Sequence, residues 1–426
     1  MTEACETPAP WQEDPAHIGF VRRCLGRTLK DHEPTPDMAR LTRYRYRRLQ
    51  DQIIRADCAG ALLFGSVNLR YATGTRYAQI SNMHSPVRAV YVPAEGGAVL
   101  YDWEMYAFGT KPEFVGEYRD PPVTAYFLAG DSYQDQSRKW AGEIAALVRA
   151  WGSGSRRLAL DIAEPELVVA LIGHGIEIVN AEKLVDRAAA IKSEDELFCL
   201  AVTVSIAEGG LARLRESLRA GMTEQELWAE FTHACIAQGA EWFDYSALAS
   251  GGRTNPWGQE CGDKVIRAGE LVGIDTGMIG PFGYGADVSR TFFCPPGRPS
   301  AEQRRLYRAA LENLAHNINL IRAGMSFREY TEKSWPVPEE FWARRYNAVA
   351  HGVGMGNEWP HIPFARDWPA HVEKDGVFEE NMVIAIESCI GRADGVECVK
   401  LEEMVVVKHG PCHVLSTFPF EDDMLH

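Results

Sequence analysis

The sequence predicts a C-terminal α+β domain, a curved sheet with helices packed outside it, preceded by an α/β domain. Three observations carry this prediction. First, residues 270–293, ELVGIDTGMIGPFGYGADVSRTFF, read as an apolar strand ending on Asp275, a Gly/Pro-rich turn, and a return strand entered through Asp287. Second, the pattern recurs downstream: MVIAIE (382–387) runs into Glu387, and VKLEEMVVV (399–407) embeds Glu402 in a β-rich run. Third, the helical segments ahead of each unit echo one another in LRAGMT (218–223) and IRAGMS (321–326). Two related halves would thus each deliver two carboxylates into a shared sheet.

The elements follow in chain order. Residues 1–38 are polar, Pro-bearing and aperiodic, and read as an arm. Helical spacing runs over 38–54, followed by a buried strand at 61–64. A hairpin is expected from 89–92 and 98–101, with Gly96 and Gly97 in its turn. A helix at 140–151 and a strand at 158–161 complete an αβ alternation, so a first domain is expected over 39–188. The stretch 70–89, rich in Tyr, Arg, Asn and His, reads as a solvated connection or a pocket-lining loop. The second domain is expected over 189–426. A capping box at Ser193/Glu196 opens a long helix with Leu197, Leu200, Val204, Ala207 and Leu211 on one face. Further boxes at Thr223/Glu226 and Ser300/Gln303 open two more, the last stopping at Gly324, and strands dominate 382–408.

Composition narrows the function classes. The formal net charge of -15 argues against nucleic acid or an anionic membrane as the main partner. The ten cysteines lack CxxC pairs or framework spacing, which fits reduced thiols in a cytoplasmic protein. The N-terminus has no apolar segment of signal type, and no uninterrupted apolar run approaches a membrane span.

The chemistry lies in five residues. Asp275, Asp287, Glu387 and Glu402 would bring about four negative charges together, and a folded interior does not tolerate these without cations. AHGVG (350–354) between the two pairs adds His351, a neutral nitrogen ligand. Such an oxygen-rich set with one imidazole suits two divalent ions, Fe, Mn, Co or Zn. IDTG, ADVSRTF, HGVG, AIES and KLEE, in this order, resemble the pita-bread metallopeptidase superfamily of methionine aminopeptidase, prolidase, aminopeptidase P and creatinase. The resemblance implies a pita-bread C-terminal domain behind a creatinase-type N-terminal domain. It also implies a homodimer, and metal ligands at Asp275, Asp287, His351, Glu387 and Glu402. Glu403 faces the opposite way from Glu402 on a strand, so only one of the two can point inward.

NLRYATGT, HSPVRA, AEWFDYSALASGGRTNPWGQEC and GNEWP resemble the dimethylsulfoniopropionate lyase branch of that superfamily most closely. Departures accompany both resemblances. The peptidases carry one histidine shortly before the first metal Asp and another seven residues after the metal His. Here the first region, 254–260, has no His, and the second position is Glu358. The lyases carry an Asp at the position of Gly277, and another, proposed as the base, at the position of Asn357. An Asn amide cannot accept a proton at neutral pH. Glu358 or His361 would then serve as the catalytic base. Trp257 and Trp359 either pack or receive a cationic substrate on their faces. Tyr71, Tyr77, His84 and Arg88 are pocket candidates from the first domain. The expected function is a dinuclear-metal enzyme acting on a small polar or zwitterionic molecule, by C–S cleavage or a related hydrolysis. The alternatives are an Xaa-Pro aminopeptidase or dipeptidase, and a metal-free binding protein of the same fold.

Overall fold

The computed structural model describes residues 35–76, 79–103, 112–152, 154–369 and 376–425. The chain divides into two compact units, Met1–Ala189 and Ala190–His426.

The first unit is built on a six-stranded mixed sheet: β1 (Gly60–Leu63), β2 (Ala89–Pro93), β3 (Ala98–Tyr101), β4 (Val115–Arg119), β5 (Arg157–Leu160) and β6 (Glu177–Asn180). Their spatial order is β4-β3-β2-β1-β5-β6. Strand β1 reads GALL and is buried throughout, as expected of a central strand covered on both faces. The helix Met38–Arg55 is N-capped by Asp37 and buries Leu41, Tyr46, Leu49 and Ile53. The helix Tyr133–Trp151 buries Trp140, Ile144, Leu147 and Val148. Asp161, just past β5, accepts from the Phe64 and Gly65 amides and from Asn68, and so fixes the chain entering the helix Ser66–Thr73. Within 70–89, the described residues form more than a solvated connection. It contains the helix Gln79–His84, which buries Gln79 and Asn82, and ends at a buried Arg88 that donates to Asp102 at 2.8 Å and to Thr75 at 2.9 Å.

The second unit opens with the helix Glu194–Ser217 and its complete Ser193/Glu196 capping box. By length and composition it could cross a membrane, but half of its apolar window is buried inside the protein. The boxes at Thr223/Glu226 and Ser300/Gln303 likewise open the helices Glu224–Gln238 and Ala301–Leu320. The duplicated motif marks equivalent places. Leu218 and Ile321 close one helix, Thr223 and Ser326 cap the next, and Gly221 and Gly324 sit at φ +96 and +92 between them. The Gly221 amide donates to Ile266, and the Gly324 amide to Phe378. Thr223 bridges Val265 just as Ser326 bridges Val377.

Strands β7 (Trp242–Phe243), β8 (Leu248–Ser250), β9 (Leu271–Asp275), β10 (Met278–Ile279), β11 (Gly285–Ala286) and β12 (Ser289–Phe293) form two small sheets, β11-β10-β7 and β12-β9-β8. A five-stranded antiparallel sheet, β14-β13-β15-β16-β17, follows from β13 (Ala350–Val353), β14 (Asn357–Ile362), β15 (Val383–Gly391), β16 (Cys398–Val406) and β17 (His413–Val414). The Thr291 hydroxyl donates to the Lys400 carbonyl and accepts from its amide, tying β12 to β16. Alternation then sorts the side chains. Ile384, Ile386, Ile390, Val399, Leu401 and Val405 pack in one core with Leu306, Tyr307, Ala310 and Leu314 of the helix Ala301–Leu320. Glu387 and Glu402, directly opposite each other in the β15/β16 ladder, are left for the other face.

Candidate metal centre

The β9/β12 hairpin pairs Asp275 with Ser289, and the Thr276 hydroxyl pins the chain on both sides of Asp287, donating to the Ala286 carbonyl and accepting from the Val288 amide. His351 lies on β13, opposite Ala385 of β15 on one side and His361 of β14 on the other. These ladders bring five side chains together, all buried: Asp275, Asp287, His351, Glu387 and Glu402. His351 Nε2 lies 3.3 Å from Glu387, 3.5 Å from Asp287 and 3.7 Å from Glu402. Ligand atoms of Asp287, His351 and Glu402 all lie within 4.8 Å of one another.

Electrostatics shows what this cluster calls for. Burial pushes the Asp287 carboxyl up to about 8, and Asp275 beside it adds to the rise. Burial likewise drives Glu402 well above the carboxylate range, with Asp287 and Glu387 reinforcing it. Burial works against a charged His351, yet its hydrogen bond to Glu387 and the charge of Asp287 hold it up at about 9. Burial would raise Glu387 too, but Lys400 and His351 bring it down to about 2. Asp287 and Glu402 are thus held towards their protonated forms while Glu387 stays ionised beside Lys400 and His351, the behaviour of a negative cage short of positive charge. Glu402 Oε1 receives no hydrogen bond although it is buried. Two carboxylate pairs, an imidazole and this orphaned oxygen fit divalent metal ions, with Asp275, Asp287, His351, Glu387 and Glu402 to hold them.

Two further residues complete the site and were not singled out in the sequence. Lys400 is fully buried, with Nζ 2.7 Å from Glu387, 2.9 Å from Glu402, 2.8 Å from Ser289 and 3.5 Å from Asp275. It lies two residues before Glu402, so strand periodicity puts both on one face. That signal was available inside KLEE. Tyr245, between β7 and β8, has its hydroxyl 3.1 Å from Asp275 and 2.9 Å from Asp287. No sequence pattern pointed to it. Glu403 faces away, paired at 2.5 Å with the buried Arg290.

The remaining sequence candidates fall in different environments. Glu358 accepts from Lys192 at 2.7 Å and from the Met355 amide at 2.8 Å, so its carboxylate is committed to a buried ion pair. A Cβ at Gly354 would meet that carboxylate at 2.0 Å, which makes the glycine of HGVG a requirement of the pair. His361 is exposed as a residue and faces His351 across the ladder; partial desolvation of its ring and the His351 charge lower its pKa. Asn357 is exposed, opposite Val353. The Trp257 ring lies against Gly273, two residues before Asp275 and therefore on the same strand face. Trp359 packs edge-on against Phe327 at 5.2 Å, beside the main core. In the first unit, His84 is exposed at the end of its helix and Tyr71 is buried. Arg88 is held by its ion pair. Tyr77 lies outside the described residues.

The model of metallopeptidase family M24 matches residues 199–409, a span that holds all five clustered residues. Over its whole length the chain is similar to dimethylsulfoniopropionate lyase DddP of Roseovarius nubinhibens, 32% identical over 96% of this chain and 93% of that one. The chain belongs to metallopeptidase family M24. A second relative, dimethylsulfoniopropionate lyase DddP of Roseobacter denitrificans, is 29% identical over 92% of this chain and 88% of that one. Among solved structures, the Xaa-Pro dipeptidase of Bacillus anthracis matches with a TM-score of 0.70 and 21% identity, covering 89% of this chain and 99% of that one. The dipeptidase PepE of Mycobacterium ulcerans gives 0.71 and 20%, covering 91% and 98%. These likenesses establish the pita-bread fold, and the M24 relatives make this chain a metal-dependent enzyme of that superfamily.

Proposed function

We propose that this M24 enzyme holds two divalent ions and cleaves the C–S bond of a small sulfonium zwitterion, in line with its full-length relatives, which are dimethylsulfoniopropionate lyases. One observation carries the choice of elimination over peptide hydrolysis. The position where the superfamily's peptidases hold a second histidine is Glu358, and its carboxylate is bound up with Lys192. Bound metal would supply Lewis acidity for the substrate carboxylate as charge builds on it.

The chain's own residues supply the rest. His361, its pKa lowered, is neutral at physiological pH and stands across the ladder from His351. It takes the proton from the carbon next to the carboxylate. The electrons of that C–H bond form the new C=C bond as the C–S bond breaks, so dimethyl sulfide and acrylate leave, and His361 returns its proton to solvent. Trp257, over Gly273, offers an aromatic face to the sulfonium.

The test is headspace detection of dimethyl sulfide from iron- or manganese-loaded protein given dimethylsulfoniopropionate, with Glu387→Ala as the blank. Gas above that blank supports the reading. Release of proline from Xaa-Pro dipeptides without any gas would overturn it in favour of a peptidase.

A further inference from the structure

The loop between β8 and β9 carries Trp257, and its shape is set from outside the carboxylate cluster. Glu224, the first residue of the helix Glu224–Gln238, is fully buried. One of its carboxylate oxygens accepts from the Ser250 amide and hydroxyl, both at 2.8 Å. The other accepts from the Gly262 amide at 3.2 Å and from the Arg253 guanidinium. Arg253 also donates to the Glu260 carbonyl at 2.8 Å. A buried carboxylate is costly unless its oxygens are satisfied, and here the donors all come from this one loop. Glu224 thereby gathers both ends of residues 250–262. The Lys264 ammonium, 2.8 Å from Ser250 Oγ and 2.6 Å from Glu270, closes the base.

The middle of the loop is fixed independently. The Asn255 side-chain amide donates to the Arg392 and Gly395 carbonyls, both at 2.9 Å, and Thr254 Oγ1 accepts from the Cys398 amide at 3.0 Å. Held at these points, the loop lays the Trp257 ring on Gly273, where a Cβ would meet Trp257 Cζ3 at 2.6 Å. Gly273 stands two residues before Asp275 on the same face of β9, so the ring borders the cluster, and it stays partly exposed. An indole face attracts a cation and gains nothing electrostatic from a neutral group of the same shape.

We propose that Glu224 and Arg253 are positioning residues that hold Trp257 as a subsite selecting an onium head group, sulfonium or quaternary ammonium, over its neutral isostere. The assignment rests on the zwitterionic substrate proposed above and adds the residues that enforce the choice from a distance.

The test uses the full metal-loaded chain and a matched pair of probes, 3-(trimethylammonio)propanoate and its carbon isostere 4,4-dimethylpentanoate, titrated by calorimetry. The probes share shape and carboxylate and differ in the positive charge. Thermal melting first establishes that each variant is folded. Wild type should bind the onium probe about fivefold or more tightly than the isostere. Trp257→Leu, Glu224→Gln and Arg253→Ala should each bring the affinities to within about twofold of one another. Arg253→Lys, which keeps a cation for Glu224, should retain most of the preference. Arg253 is partly exposed, so its variants carry the prediction if Glu224→Gln does not fold. A merely structural role would weaken both probes alike and leave their ratio unchanged. An unchanged ratio in folded Glu224→Gln or Arg253→Ala would therefore overturn the positioning assignment, and a wild type without preference would overturn the subsite. A preference that is lost in these variants, in a protein that releases no dimethyl sulfide, would uphold the assignment and remove only C–S cleavage.

Discussion

Lys400 provides one positive charge among four buried carboxylates, and its removal tests how the cage is balanced. Taking one partner out of a buried ionic cluster costs about 3–5 kcal/mol, because the remaining charges stay desolvated and unpaired. Lys400→Met should lose about that much stability in chelator, read by urea denaturation, and clearly less when metal is bound. An equal loss in both states would mean that the lysine acts through packing. His361 gives the pH prediction. As the base it must be neutral, and its pKa is lowered from 6.5. Activity should therefore rise with pH through that lowered value and stay high above it. His361→Gln should lose both the acidic limb and about 10²-fold or more in kcat. A limb that survives the substitution belongs to another group. Of these two residues the sequence singled out only His361. Lys400 is legible only through its two-residue spacing from Glu402, which places both on one strand face.

At the scale of elements, the sequence was most legible where local chemistry decides the outcome. Capping boxes at Ser193, Thr223 and Ser300 start their helices because the bonds involved span three residues. The β9/β12 hairpin and the β15/β16 ladder follow from alternation and turn residues. What could not be read depends on contacts between distant segments. The bond of Lys192 to Glu358 spans 166 residues, and Tyr245 reaches Asp287 across 42. Neither leaves a periodic trace. The repeated AGM motif gives a prediction at this scale. Gly221 and Gly324 occupy the left-handed region at equivalent turns, where a Cβ meets no neighbouring atom but the backbone is strained. Gly221→Ala and Gly324→Ala should each cost about 1–2 kcal/mol by thermal denaturation. Similar costs at both sites would reflect the internal duplication. A cost at only one would mean that the two turns no longer carry equivalent roles.

For the molecule as a whole, metal binding and folding are linked through one unit. All five clustered residues lie in Ala190–His426, four of them on strands and Asp287 between β11 and β12. An ion that binds only the folded state stabilises it by about 1.4 kcal/mol for each tenfold excess of free metal over Kd. Metal removal should therefore loosen β9, β13, β15 and β16, which carry four of these residues, and the turn into β12, which carries Asp287. Hydrogen exchange in chelator should accelerate at those amides, while β1, β2 and β5 of the first unit, which carry none of the clustered ligands, keep their rates. Acceleration of equal size in both units would mean that they unfold as one cooperative body. No acceleration anywhere would mean that Lys400 and shared protons alone compensate the cage. The carboxylates would then be a structural network rather than a metal site.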